Sequence, residues 1–568
     1  MNVFSKFNPH LQRISLIGVS IGLLIFISNF LYFRLDLTSD KRFTISEPTK
    51  KLIENIDEPI KVTIYLEGDL NPGFLRLKKA TADLFEELSA HGKSKFVIEY
   101  ENPSSANSEK ERNEKYTQLA AKGLIPTAVY ERDKEGKAIQ KVIFPWIEII
   151  QNGKRIPICL LKNIRGNSGE ENLNVSVENL EFEITDGIRR MLRKVTPKIA
   201  FIEGHGELNE AETYDVSKSL SKYFQIDRGV IASDAAILNP YQCIIIAKPT
   251  SPYSETDKYI IDQYIMNGGR VLWLLDGVRI AKENLSKNGL SPAMELDVNL
   301  SDQLFKYGIR INPVIIQDIQ STSIPINIAP AGEKPQFEPS PWFYSPLLLA
   351  SNIHPVTKNI TEVKADFCSG IDQVGDNKDI KYSLLLASSD NSHILGTPTT
   401  IDLAKMPNSK DHAYFNASYC PVAVGVEGNF ESDFANRIPP KGITNTLPFK
   451  SKSVLTRQIF VADGDIIRNE TTGVASDSTT IPLGYDRYMR QQFGNRDFVQ
   501  NAVQYLTDNE GWMQLRFRTV KLRLLNKRIT SDEKLIWQLG NVLLPVLLLG
   551  LFGVAFQIIR RKRYTKLS

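Results

Sequence analysis

The chain has 568 residues, of which 42% are hydrophobic and 24% charged, and a formal net charge of +4. That balance excludes a disordered chain and carries no signature of a nucleic-acid binder, while the length allows two or more cores at about 100–200 residues per domain. Cys159, Cys243, Cys368 and Cys420 lie far apart, so there is neither a Cys-x-x-Cys pair for zinc or redox work nor a disulfide framework.

After a short stretch, 1–13, comes ISLIGVSIGLLIFISNFLYF, Ile14 to Phe33, uncharged and long enough to cross a hydrocarbon core. DLTSDKRF follows it in place of a small-residue cleavage site, so the expectation is an uncleaved anchor at 14–33. From Ile60 an alternating strand, IKVTIYL, leads past Pro72 and Gly73 into a helical pattern that places Leu77, Ala80, Leu84 and Leu88 on one face. KFVIEY, TAVYER, KVIFPWIEI and RIPICLL read as strands, which makes 34–195 a small α/β domain of thioredoxin-like type. Without Cys-x-x-Cys it is a binding or scaffolding domain rather than a redox enzyme. NLNVSVENLEFEITDGIRRML reads as a strand followed by a helix leading out of it.

A second domain is expected over 196–512. IAFI, IDRGVI, CIIIA and VLWLLD are short apolar strands alternating with helical patterns. One helical stripe carries Val216, Leu220, Tyr223 and Phe224, and SETDKYIIDQYIMNGG is opened by Ser254 and Asp257 and closed by Gly268 and Gly269. This pattern predicts a doubly wound parallel sheet of amidotransferase-like type. Between about 285 and 450 the pattern loosens into a long insertion, after which QIFVADGDII reads as a strand and NRDFVQNAVQYL as a helix. A basic juxtamembrane stalk, 513–536, containing LRFRTVKLRLLNKR, precedes a second apolar span at 537–559 and a basic tail at 560–568. Pro545 is tolerable within that span because lipid enforces the helix's other hydrogen bonds. Two spans place both termini on one side of the bilayer and the large domains on the other. Flanking charge does not decide which side, although RRKR after Ile559 favours a cytoplasmic C-terminus.

The stretch FIEGHGELNE, Phe201 to Glu210, joins a strand to a helix and has three readings. As a dinucleotide turn it has Asp227 about 20 residues on, but Asn209 replaces the third glycine, and Glu203 and Glu207 put negative charge where a pyrophosphate belongs. As an active site, Glu203, His205, Glu207 and Asp276 project from the carboxyl ends of neighbouring strands and can serve a membrane-tethered hydrolase or metal-dependent enzyme. No second nearby histidine, His-Glu-x-x-His or Gly-x-Ser-x-Gly supports that chemistry, and Lys248, Pro249 and Thr250 follow CIIIA where related sheets carry a nucleophile. As a tight turn, Gly204 and Gly206 let the backbone reverse, Asn209 caps the next helix, and His205 contacts a ligand or partner. The third reading is preferred, with catalytic residues, metal and cofactor all absent. The candidate contact residues are Glu203, Gly204, His205, Gly206, Glu207 and Asp276. Trp342, Phe343 and Tyr344 in PSPWFYSPLLL are a candidate binding surface or a satellite core.

RLDLTSDKRFTISEPTKKLI, YLEGDLNPGFLRLKKAT, KIAFIEGHGELNE, the pair PWFYSPLL and HPVTKNI, FVADGDIIRN, PLGYDRYMRQQFGNRDF and the basic LRFRTVKLRLLNK occur in order over nearly the whole chain. Together they resemble GldG, the auxiliary, substrate-binding-type subunit of the ABC transporter associated with gliding motility in Bacteroidetes. The resemblance implies a bacterial inner-membrane protein with cytoplasmic termini and periplasmic domains. It also implies work beside a polytopic permease and, through it, a cytoplasmic ATPase, in agreement with the absence of Gly-x-x-x-x-Gly-Lys-Ser/Thr here. The expected partners are therefore these subunits and the lipid bilayer, with no nucleic acid; a homo-oligomer within the complex stays open.

Overall fold

The computed structural model describes residues 18–20, 22, 44–92, 95–132, 137–164, 166–330, 332–375, 377–444, 448–472, 479–517 and 532–564. They fall into two compact units, one ending at Arg518 and the other beginning at Thr519. The first apolar span lies outside the described residues except for helical positions 18–20 and 22, and so does most of the basic stalk.

In the first unit, β1 (Ile60–Ile64) runs parallel to β2 (Phe96–Tyr100), and the helix Pro72–His91 connects them. Asn71 opens that helix by accepting from the Phe74 N–H (3.0 Å), with Pro72 at its first position. β3 (Thr127–Arg132) and β4 (Ala138–Ile143) form a separate hairpin. β5 (Trp146–Gln151) adds antiparallel to β1, and β6 (Lys154–Cys159) pairs with β5. Val62, Ile64, Ile147, Ile149 and Ile158 bury one apolar face against Phe74, Leu77, Phe85 and Leu88.

The expected strand and helix over 172–192 are instead one helix, Gly169–Leu192. β-branched Val175 and Val177 imitate a strand's two-residue period, but a capping box just upstream decides the local structure. The Ser168 side chain accepts from the Glu171 N–H, while the Ser168 N–H donates to Glu171 (2.6 Å). Once nucleated there, the helix buries Leu173, Leu180, Ile184 and Ile188 in the small core. Gly187 lets it approach β6 closely, because a Cβ there would sit 2.1 Å from Ile158 Cδ1.

The larger sheet has ten strands among the described residues. β8 (Gln225–Val230), β7 (Lys198–Glu203), β9 (Tyr241–Ala247), β10 (Val271–Leu274) and the strand Thr456–Val461 lie side by side, all parallel. Alternation along β7 serves both faces. Ile199 and Phe201 join Val216, Leu220, Phe498 and Val503 in one core, and Ala200 and Ile202 join Tyr259, Ile260 and Tyr264 in the other. The expected insertion supplies the antiparallel half of this sheet: Pro421–Gly428 pairs with Thr456–Val461, then Ile380–Ala387 and Phe337–Ala350 follow outward.

The second unit contains the helix Lys534–Tyr564, 31 residues with Pro545 inside, long and apolar enough to cross a membrane. The expected span 537–559 falls within it.

Candidate functional site

The parallel strands dictate where chemistry can gather. β8 leaves β7 in one direction and β9 in the other, so the chain reverses its order between β7 and β9, and ligands of open α/β sheets bind outside the carboxyl ends of strands at such a point. GHGE begins at the carboxyl end of β7, and Lys248 to Ser251 follow β9 beside it.

The two loops are zipped together. The Thr250 and Ser251 N–H groups both donate to the His205 carbonyl (2.8 and 2.9 Å), and the Leu208 N–H donates to the Ala247 carbonyl (3.0 Å). Gly206 has φ +75°, and a Cβ on it would lie 2.1 Å from Thr250 Oγ1, so only glycine fits. The His205 ring stacks on Tyr253, with centroids 3.6 Å apart and planes 13° apart. Its Nδ1 lies 3.2 Å from Glu207 Oε1 and its Nε2 3.2 Å from Asp257 Oδ2. The His205 N–H donates to Glu207 Oε2 and the Tyr253 hydroxyl to Glu207 Oε1, both at 2.6 Å. Burial opposes the imidazolium, but the hydrogen bonds and charges of Asp257 and Glu207 outweigh it and raise His205 to about 9. Burial likewise works against the charge of Glu207 and Asp257, yet the bonds they accept, led by those from His205, leave both below the usual carboxylate range. His205 is thus a cation clamped by two anions with both ring nitrogens engaged, unlike a general base, which needs a free lone pair.

The remaining candidates are distributed elsewhere. Glu203 accepts from Arg228 Nε on β8 (2.7 Å), and Arg228 also donates to Thr213 Oγ1 and to the Leu208 carbonyl. Asn209 accepts from the Glu212 N–H (3.1 Å), capping the turn before the helix Tyr214–Leu220, whose own N-cap is Thr213. The structure buries Trp342, Phe343 and Tyr344, at 8%, 3% and 6% exposed, instead of offering them as a surface. Trp342 and Tyr344 pack with Phe367 and Val278 in a satellite core, and Phe343 packs edge-on against Phe415.

Asp276 belongs to a different group, at the carboxyl ends of β9, β10 and Thr456–Val461. Its Oδ2 lies 2.7 Å from Lys248 Nζ, and its Oδ1 accepts from the Gly464 N–H (2.6 Å). Lys248 also donates to Asp465 Oδ2 (2.7 Å), and Lys282 donates to the same oxygen (2.9 Å) and to Asp366. Asp463 accepts from the Asp366 N–H (2.8 Å) and the Asp465 N–H (2.7 Å). Lys364 reaches Glu470 and Asp486, each at 3.0 Å. Burial works against the Lys248 and Lys282 ammonium charges, but the surrounding carboxylates overcome it and raise both. Burial and the charges of Asp465 and Asp276 push Asp463 well up, whereas Lys282 and Lys248 outweigh burial and pull Asp465 down. Lys248 carries φ +56°, a left-handed backbone that is costly for a side-chain-bearing residue. Gly464 permits the close approach, since a Cβ there would stand 2.5 Å from Lys248 Cβ.

Lys248, Lys282, Lys364, Asp465, Arg468 and Arg487 line a cleft of about 460 Å³ above these strand ends. Motif reading passed over it because three lysines contributed by three separate segments leave no spacing to recognise. The one local signal was Asp463-Gly464-Asp465, an acidic turn directly after an apolar strand.

Comparison with known proteins bears on this unit. A family model described as an ABC-type uncharacterized transport system, ABC_transp_aux, matches residues 196–502. The chain belongs to this family of ABC transport auxiliary proteins. A second model, a domain of unknown function (DUF7088), matches residues 39–150 of this auxiliary protein. An uncharacterized protein of Borreliella burgdorferi is 23% identical over 413 residues, covering 71% of this chain and 74% of its own length. Among solved structures, the mmIFT52 N-terminal domain aligns at 12% identity with a TM-score of 0.31, over 55% of this chain and 98% of its own.

Proposed function

We propose that this chain is a non-catalytic, membrane-anchored subunit of an ABC transport system, acting beside a polytopic permease and, through it, a cytoplasmic ATPase. The observation that carries the reading is the family match over 196–502, in a unit whose histidine motif is committed to bonds within the chain. The apolar helix Lys534–Tyr564 supports anchoring. The resemblance to GldG supports a bacterial inner-membrane location, a periplasmic first unit, a second anchor at 14–33 and a part in gliding motility. The finer architecture belongs to the same proposal. The parallel β1–β2 pair joined by a helix and extended by antiparallel β5 and β6 supports a thioredoxin-like small domain, and the parallel order β8-β7-β9-β10 supports an amidotransferase-like large one.

The test is to solubilise the full-length protein from its native membranes in mild detergent, capture it, and identify the co-purifying chains by mass spectrometry. A permease and an ATPase in constant ratio are expected. Recovery of the folded protein alone overturns the transporter reading. For orientation, a cysteine placed at exposed Glu109 should react in intact cells with a thiol reagent that does not cross the inner membrane.

A further inference from the structure

We infer that the cleft above β9, β10 and Thr456–Val461 binds a small solute through an oxyanion group, a carboxylate or a phosphate, flanked by a hydroxyl or amino group. The donor count leads to this class. An ammonium has three N–H donors. Lys248 gives two to Asp276 and Asp465, Lys282 two to Asp366 and Asp465, and Lys364 two to Glu470 and Asp486. Among the described residues each lysine therefore brings one uncommitted donor to the same cleft, and Arg468 and Arg487 on its wall bring more. Five cations and five carboxylates line the wall, with Asp276 and Asp486 bonded to the lysines behind it, so the cleft offers a ligand its donors and not a net positive charge. A ligand that complements it is rich in acceptors, as a carboxylate or phosphate is.

One buried atom calls for the opposite partner. Among the described residues Asp465 Oδ1 has no hydrogen-bond donor, Arg468 Nη1 standing 3.5 Å away, and the Asp465 side chain is 7% exposed. A ligand O–H or N–H next to the oxyanion satisfies it. The volume of about 460 Å³ is that of a small-molecule site. The arrangement is also a poor way to stabilise a fold. Buried ion pairs contribute no more than well-packed apolar side chains, and here they come with a lysine in the left-handed region. Strain and buried charge retained together at the ends of parallel strands mark a functional site.

The inference does not depend on the transporter reading, since loss of binding would leave co-purification with a permease unaffected. Its test uses the full-length chain in detergent, with inorganic phosphate and citrate as probes and chloride at equal ionic strength as control, followed by calorimetry and by thermal unfolding. Saturable one-to-one binding of at least one probe is expected, with a rise in Tm beyond the chloride control. Lys282→Met should weaken it at least about tenfold, as loss of a charged hydrogen bond does. Because that variant also unpairs Asp366, the exposed-rim pair Arg468→Gln and Arg487→Gln is measured alongside and should weaken binding while leaving the ligand-free Tm unchanged. Citrate alone binding assigns a carboxylate ligand, and phosphate alone a phosphorylated one. Absence of saturable binding by either probe, or affinity unchanged in all three variants, overturns the assignment.

Discussion

His205 is positioned by what surrounds it rather than by its own loop. Its imidazolium belongs to the folded state, rising from an ordinary 6.5 to about 9, so its contribution to stability is complete below pH 6.5 and is lost as pH climbs through 9. The lowered Glu207 and Asp257 contribute above the ordinary carboxylate range and lose that contribution on acidification. The Tm difference between wild type and His205→Gln should therefore be widest near about pH 6 and shrink towards pH 9. A gap that stays constant from about pH 6 to pH 9.5 would remove the clamp from the account. Gly206→Ala combines a left-handed φ with a 2.1 Å contact and should cost about 1–3 kcal/mol in denaturant unfolding. Thr250→Gly in that background should restore the steric part only. At this scale the sequence was half legible. The strand, the two glycines and the reversal could be read from FIEGHGELNE, but Asp257, 52 residues from His205, looked like nothing more than a helix cap. It is that cap as well, accepting from Ser254 Oγ (2.7 Å) and donating its N–H to the same oxygen.

The helix Gly169–Leu192 shows how local signals rank at the scale of an element. Alternating Val175 and Val177 predict a strand, yet the reciprocal Ser168–Glu171 bonds and the buried 3.6-residue stripe prevail. Ser168→Ala should cost about 1 kcal/mol of unfolding free energy. Gly187→Ala should cost about 1–3 kcal/mol by pushing the helix off β6, and Ile158→Val, which removes the Cδ1 atom in its way, should recover much of that loss. Additive losses in the double variant would mean that this contact does not limit the packing. Strands β7 to β10 were legible because each is a short apolar run with a helix between neighbours. The antiparallel half of the sheet was not. Pro339, Pro341 and Pro346 within Phe337–Ala350 read as a loop, whereas this strand pairs with Ser321–Asn327 through its first half and with Glu362–Lys364 and Ile380–Ala387 at its end.

At the scale of the whole molecule, an aromatic patch joins the small core of the first unit to its C-terminal turn, beside the bond from Arg193 Nη1 to the Tyr223 carbonyl (3.0 Å). Trp512 stacks on Phe182 with centroids 5.1 Å apart, Arg189 lies over the Trp512 ring at 3.7 Å, and Arg516 lies over Phe182 at 5.2 Å. Trp512→Ala should cost about 3–5 kcal/mol and advance tryptic cleavage at Arg516. Unchanged cleavage kinetics would show that the patch does not hold the C-terminal turn. Its composition could be read in the sequence but its pairing could not, because Phe182 and Trp512 are 330 positions apart and nothing local announces their meeting.

Glu181, the neighbour of Phe182, accepts from the Ser46 N–H (2.7 Å) and from Thr49 Oγ1 (2.8 Å). The described beginning of the unit and its described end are therefore fastened to consecutive residues of one helix. A pull applied between residue 46 and residue 512 loads residues 181 and 182 of that helix, and it also reaches the large sheet, because Asp508, which accepts from the Trp512 N–H (3.3 Å), is itself held at its carbonyl by Arg457 (3.0 Å). Tension between the two ends is thus shared between one helix and the large sheet, as a strap shares its load between two buckles.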